Sequence, residues 1–147
     1  MTSLAHVLAE SGPGVHLWHS TRPAAEIRTE AEELAWRLVV LEGAHIRDKD
    51  CFLEECERSY RFPPWFGHNW DALADCLADL SWLPPPAPGS GGGVLTVFEH
   101  CDAFARSALD DYDVALEVWE EVAEAWRRIG VPFTVLLRSS PDAADVE

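Results

Sequence analysis

Short apolar runs alternate along this chain with longer stretches whose apolar residues recur at helical spacing. Arg37-Leu38-Val39-Val40-Leu41, closed by Glu42-Gly43, is compact and β-branched, and Val94-Leu95-Thr96-Val97-Phe98 and Pro132-Phe133-Thr134-Val135-Leu136-Leu137 have the same character. Each reads as a buried strand. From Lys49 to Tyr60 the apolar seam is Phe52, Leu53, Cys56 and Tyr60, with Asp48 or Asp50 able to cap the helix it predicts. From Tyr112 to Ile129 the residues Leu116, Trp119, Val122, Ala123 and Trp126 keep the same period, so a long amphipathic helix is expected, closed by Gly130. A short helical segment is expected near Cys101 to Ser107, and another helix after Asn69, a good N-cap.

The N-terminal third repeats the alternation. A short helix starting at Leu4 ends at Ser11-Gly12-Pro13-Gly14, and Val15 to Trp18 alternates as a strand. Pro23 suits a first helical turn, and Ala24 to Leu34 carries helix formers. With the strand at Arg37 this makes a strand-helix-strand unit. Strands that are continuous apolar runs between helices indicate an α/β layer with a small, mainly parallel sheet of three strands, extended by an N-terminal strand-helix unit. Leu83 to Gly93, rich in proline and glycine, is expected to be a surface loop, and Pro141 to Glu147 an acidic tail without structure. There is no internal repeat and no sign of a second domain.

The chain has 147 residues, enough for a core without staples. Its formal charge is -15, from 26 acidic against 11 basic residues. That surface repels nucleic acid and anionic lipid; it either attracts a basic partner or simply maintains solubility. The six histidines and four cysteines show no zinc-ligand spacing, so no metal or cofactor is expected. Without a signal peptide or an apolar run of about 20 residues, a cytoplasmic protein with free thiols is expected, away from membranes. Oligomeric state is not legible.

Between Arg61 and Arg106 there is no lysine or arginine, and within that gap Asp71, Asp75 and Asp79 recur every fourth residue. On a helix they form one negative stripe, while Leu73, Cys76, Leu77 and Leu80 fall on faces available for packing. Like charges so spaced destabilise their own helix by roughly 0.2 to 0.5 kcal/mol per pair. Asp71, in the first turn, is favoured there by the helix dipole. Asp75 has no such local reason, which points to a cation on another molecule. Trp65, before a glycine on the preceding loop, suits an exposed interface anchor, whereas Trp70 reads as core. His68 is placed either against a partner or in solvent. Catalysis by the carboxylates with His68 is not expected, because a solvated stripe does not push pKa values apart, and Cys76 has no nearby cation in sequence to make it a nucleophile.

The run Pro63-Pro64-Trp65-Phe66-Gly67-His68-Asn69-Trp70-Asp71-Ala72-Leu73-Ala74-Asp75-Cys76-Leu77 carries a specific resemblance. With Leu41 to Ile46, Val94 to Phe98 and Gly130 to Leu137, it resembles the barstar family, intracellular inhibitors of barnase-type ribonucleases. The resemblance covers roughly two thirds of the chain and leaves out about residues 1–35, the Pro/Gly loop and the tail. Together with the reading of the remaining residues, one barstar-like domain over 1–138 is expected, with an N-terminal βα extension over about 1–35 and an acidic disordered tail at 139–147. The resemblance implies a role in immunity, with a basic, extracellular-type ribonuclease as partner. It places Trp65, Gly67 and Asn69 on the inhibitory surface, with Asp71 and Asp75 at the family's key carboxylates; His68, Ala74 and Asp79 are counted with them as partner-binding candidates, Asp79 lying outside the matched motif and open to a reading as solvated surface only. There are departures: Ala74 stands where the family has an exposed tryptophan, and Leu80 at another tryptophan position. The family's contacting glutamate falls on Ala125, with Glu121 and Glu124 nearby. Those departures leave open a second reading, a barstar-like module that binds some other basic protein.

Overall fold

A computed structural model describes residues 3–20, 22–80 and 92–139. Most of the Leu83–Gly93 loop and the tail from Pro141 onward therefore lie outside the described residues. The elements run α1 (Leu4–Ser11), β1 (Gly14–Leu17), α2 (Ala24–Glu33), β2 (Arg37–Glu42), α3 (Lys49–Tyr60), α4 (Trp70–Asp79), β3 (Val94–Glu99), α5 (Cys101–Ser107), α6 (Leu109–Arg128) and β4 (Phe133–Arg138).

The four strands form one parallel sheet in the order β1-β4-β3-β2. β3 and β4 are the strands most continuously buried, so they take the centre, while the half-buried β1 and β2 take the edges. This changes the reading of the N-terminal strand-helix-strand unit. Its two strands are not neighbours; they flank the sheet on opposite sides, and β1 pairs with β4, Gly14 opposite Thr134. Local spacing reveals a crossover, but the strand pairing is decided by which strands can be buried on both faces.

The pleat sorts side chains into two cores. Val94, Phe98, Phe133, Val135 and Leu137 face α3, α4, α5 and α6, packing around Phe52, Leu53 and Trp119. Leu95, Val97 and Leu136 face the other way, against Leu4, Val7 and Leu8 of α1 and Ile27 and Ala31 of α2. The N-terminal extension thus adds an edge strand and also covers the second face of the sheet.

Several element ends follow from single residues. Asp48 caps α3 by accepting from Cys51 N. Gly43 follows β2 where a Cβ would lie 2.6 Å from Glu99 O and from the Phe98 ring, so no larger residue fits without movement. α6 starts at Leu109, three residues before the apolar period becomes visible at Tyr112, because Asp110 and Asp111 occupy the first turn, where the helix dipole favours them. Pro23 is the N-cap of α2 and stands just before its first turn. At the far end, Arg138 donates to both Glu99 carboxylate oxygens (2.6 and 2.5 Å) and to the carbonyls of Ser20 (3.1 Å) and Arg22 (2.8 Å), tying the β1–α2 connection to the sheet. All four cysteines carry free thiols.

Candidate functional site

The loop between α3 and α4 is held by a ladder of aromatic rings. Tyr60 is fully buried and hydrogen-bonds Thr96 on β3. Phe62 stacks on Tyr60 with centroids 5.6 Å apart, and Phe66 lies 4.8 Å from Phe62. Phe66 N also donates to Pro63 O at 3.0 Å, closing a tight turn. With Phe66 drawn inward, Trp65 is directed outward and is 69% exposed. The sequence singled out the exposed ring; the buried one that orients the turn is legible only as a second aromatic four residues after Phe62.

His68 completes the loop in the left-handed region, at φ 51°. Its ring packs 4.8 Å from Phe66, and its Nε2 lies 3.0 Å from Glu57 Oε1 on α3. Of the two roles the sequence left open, neither describes this geometry fully: His68 is exposed, yet it fastens the loop to α3. Asn69 then caps α4 as expected, its Oδ1 accepting from Ala72 N at 2.7 Å and its Nδ2 donating to Gly67 O at 3.2 Å. One side chain thus fixes both the helix start and the preceding loop. Asn69→Ala is therefore expected to cost about 1 kcal/mol of stability, measured as a shift in the urea midpoint at constant slope.

α4 is seated by Leu73, Cys76 and Leu77, all buried, and by Leu80 as its left-handed C-cap. From α6 the Trp126 indole donates to Leu77 O at 2.9 Å, satisfying a carbonyl of the last turn. The opposite face carries Asp71, Asp75 and Asp79, all exposed. Among the described residues no ion pair or hydrogen bond engages these three carboxylates. Burial first, then the negative field of Asp75 and Asp79, pushes the Cys76 thiol above its ordinary pKa, which is unfavourable for a nucleophile. Trp70 is half-buried, 6.0 Å from Phe52, with Lys49 Nζ 5.6 Å from its ring, so it contributes to the core while remaining open on one side. Ala74 is half-buried against the same core. On α6, Glu121 and Glu124 are exposed, Glu124 lying 3.8 Å from Arg127. Among the described residues no cluster of His, Cys, Asp and Glu could hold a metal ion, and no helix is long and apolar enough to cross a membrane.

Residues 36–138 match the family described as Barstar (barnase inhibitor). The chain belongs to the barstar family. The match begins at Trp36, just ahead of β2, so α1, β1 and α2 precede the family region. Among curated relatives, "Putative ribonuclease inhibitor YrdF" of Bacillus subtilis (strain 168) is 29% identical over 94 residues, which are 63% of this chain and 97% of that protein. The barstar-family region contains the whole aromatic ladder from Tyr60 to Phe66, α4 with its carboxylates, and the α6 surface against which α4 packs.

Proposed function

We propose that this protein inhibits a ribonuclease by seating α4 and the loop before it in a basic active site. The observation that carries the proposal is the row of exposed carboxylates that find no cationic partner among the described residues, held on a helix that is fixed from below, in a chain of the barstar family. A ribonuclease must bind phosphate and stabilise developing negative charge, so its site gathers cationic and N–H donors. Asp71 and Asp75 are the groups to occupy those phosphate positions with charge-assisted hydrogen bonds. Trp65 would pack on the rim of the cleft, with Gly67, His68 and Asn69 supplying the loop contacts and Ala74 and Asp79 flanking the carboxylates. The capped, ring-braced loop is organised before binding, which keeps the ordering cost low. The protein acts here as a binding protein, in the cytoplasm, protecting its own cell from a basic ribonuclease of the extracellular type.

The test is titration of a co-encoded secreted ribonuclease with the purified protein while RNA cleavage is followed. Cleavage should stop at one equivalent. The association rate should fall at least tenfold as ionic strength rises from about 0.01 to about 0.5 M, because the Debye length shrinks from about 30 Å to only a few ångströms. Cleavage unchanged at micromolar inhibitor would remove that enzyme as the target. Ala74, half-buried where the family has an exposed tryptophan, favours a second reading in which the basic partner is another protein. Recovery through Trp65 of a basic partner without nuclease activity would select that reading.

A further inference from the structure

We infer that two copies of this protein pair through the outer edge of β2, antiparallel about a two-fold axis at Val39, joining their four-stranded sheets into one. The molecule treats its two sheet edges differently. β1 is only four residues long, and Glu120 reaches from α6 to accept from its outward Val15 N at 2.5 Å. A short strand with a carboxylate across its edge discourages pairing. β2 runs for six residues, Arg37–Glu42, and contains neither proline nor lysine. Arg37 N donates to Gly93 O and Gly43 N to Glu99 O, so the odd-numbered positions bond β3, and the N–H and C=O groups of Leu38, Val40 and Glu42 point away from it. Glu42 N is met by Glu55 Oε2 at 3.1 Å, and Trp36 N, just before the strand, by Ala31 O at 2.9 Å. Among the described residues nothing meets Leu38 N or Val40 N.

A second copy of the chain fits those two positions. Leu38 and Val40 stand two residues apart, so a two-fold axis through Val39 sets each Leu38 opposite the second copy's Val40. Opposed residues of this kind in an antiparallel pair exchange both of their hydrogen bonds, and the register thereby uses both unmet N–H groups. An axis at Leu38 or at Val40 would instead bring Trp36 or Glu42, whose N–H groups are already taken, into a bonding position. The side chains agree with the axis at Val39: Leu38 and Val40, half-buried on the α2 face, lie beside their counterparts as apolar cross-strand pairs. The charges agree as well. α3 runs back along β2 on the Val39 face, with Glu55 beside Glu42 and Arg61 beside Arg37. Its first half exposes Asp50 and Glu54, with Lys49 turned to the Trp70 ring, and its end exposes Arg58 and Arg61. Arg37 and Arg61 have no ion-pair partner among the described residues, and neither have Asp50 and Glu54. Burial and then the Arg61 charge lower the Arg37 pKa, so cations crowd at this end of the strand. Antiparallel pairing sets that basic end of each copy against the acidic half of α3 on the other, which makes the edge complementary to itself.

The test is the mass of the full chain by sedimentation, from about 1 μM to about 1 mM, with amide exchange read by NMR at both ends of that range. Each chain carries a formal charge of -15, so the measurements are made at about 0.15 M salt, where a Debye length of about 8 Å screens the net repulsion. The contact is small, so a reversible dimer of the 16.4 kDa chain is expected. As it fills, exchange at the Leu38 and Val40 amides should slow about tenfold or more, while the Val39 and Leu41 amides, already bonded to β3, change much less. Val40→Lys puts a charge beside the second copy's Leu38 and should weaken the dimer about tenfold or more, with circular dichroism unchanged. Should that variant fail to fold, Glu54→Arg, on the exposed side of α3, should weaken the dimer in the same sense. A monomer at every concentration, species larger than a dimer that grow with concentration, a dimer whose Leu38 and Val40 amides exchange as fast as before, or a folded variant of either kind that pairs like the native chain would each overturn the inference.

Discussion

Asp75→Ala is expected to weaken inhibition of the cognate ribonuclease by about 2 to 5 kcal/mol, roughly 30- to 5,000-fold, mostly through faster dissociation. Measurements on the barnase–barstar pair itself contribute to that range, so it is not independent of the family. The size follows from asymmetry: removing one partner of a desolvated charge pair leaves a cationic group of the enzyme buried without its counter-ion. Stability should move little, and in the opposite direction. Asp75 is exposed and makes no ion pair within the described residues, while it sits one turn from both Asp71 and Asp79, so its removal relieves like-charge pairs worth roughly 0.2 to 0.5 kcal/mol each. Inhibition constants and urea midpoints measured on the same preparations separate the two effects. Asp75→Asn keeps the shape and removes the charge, and should lose most of the same affinity. If Asp75→Ala inhibits as well as the native protein, α4 is not the inhibitory surface.

The stripe was readable from sequence because its spacing and its want of local cations are both one-dimensional facts. The cap at Asn69 and the exposure of Trp65 were readable for the same reason: each depends on neighbours within a few residues. What held them in place was not. Tyr60 to Thr96, His68 to Glu57 and Trp126 to Leu77 join residues far apart in the chain, and no periodicity announces such pairs. The sheet shows the same division. The strands were visible as apolar runs, but the placing of β1 beside β4 required knowing that α1 and α2 cover the second face, which depends on Leu95, Val97 and Leu136 pointing away from Trp119.

The largest loss of stability is expected at Trp119, which no contact to a partner would explain. Its side chain is fully buried at the centre of the first core, edge-on to Phe52 at 5.5 Å and to Phe98 at 5.8 Å, while Phe52 in turn stacks on Phe104 at 5.1 Å. One ring thus connects α6 to α3 and to β3, and through Phe52 to α5. Trp119→Ala removes those contacts and leaves a cavity that rigid strands β3 and β4 cannot collapse to fill, so a cost of about 3 to 5 kcal/mol is expected. Against a total of about 5 to 15 kcal/mol that is a large fraction, and the melting temperature should fall by roughly 10 to 20 °C. A fall below about 4 °C would mean that the core does not depend on this ring. Because Trp119 is remote from solvent, the variant should still inhibit at one equivalent wherever it remains folded, since a partner that binds only the native state pulls the equilibrium back toward it. Asp75→Ala should show the reverse, a stable protein that no longer holds the enzyme, and the pair together tests whether fold and binding surface are separable in this chain.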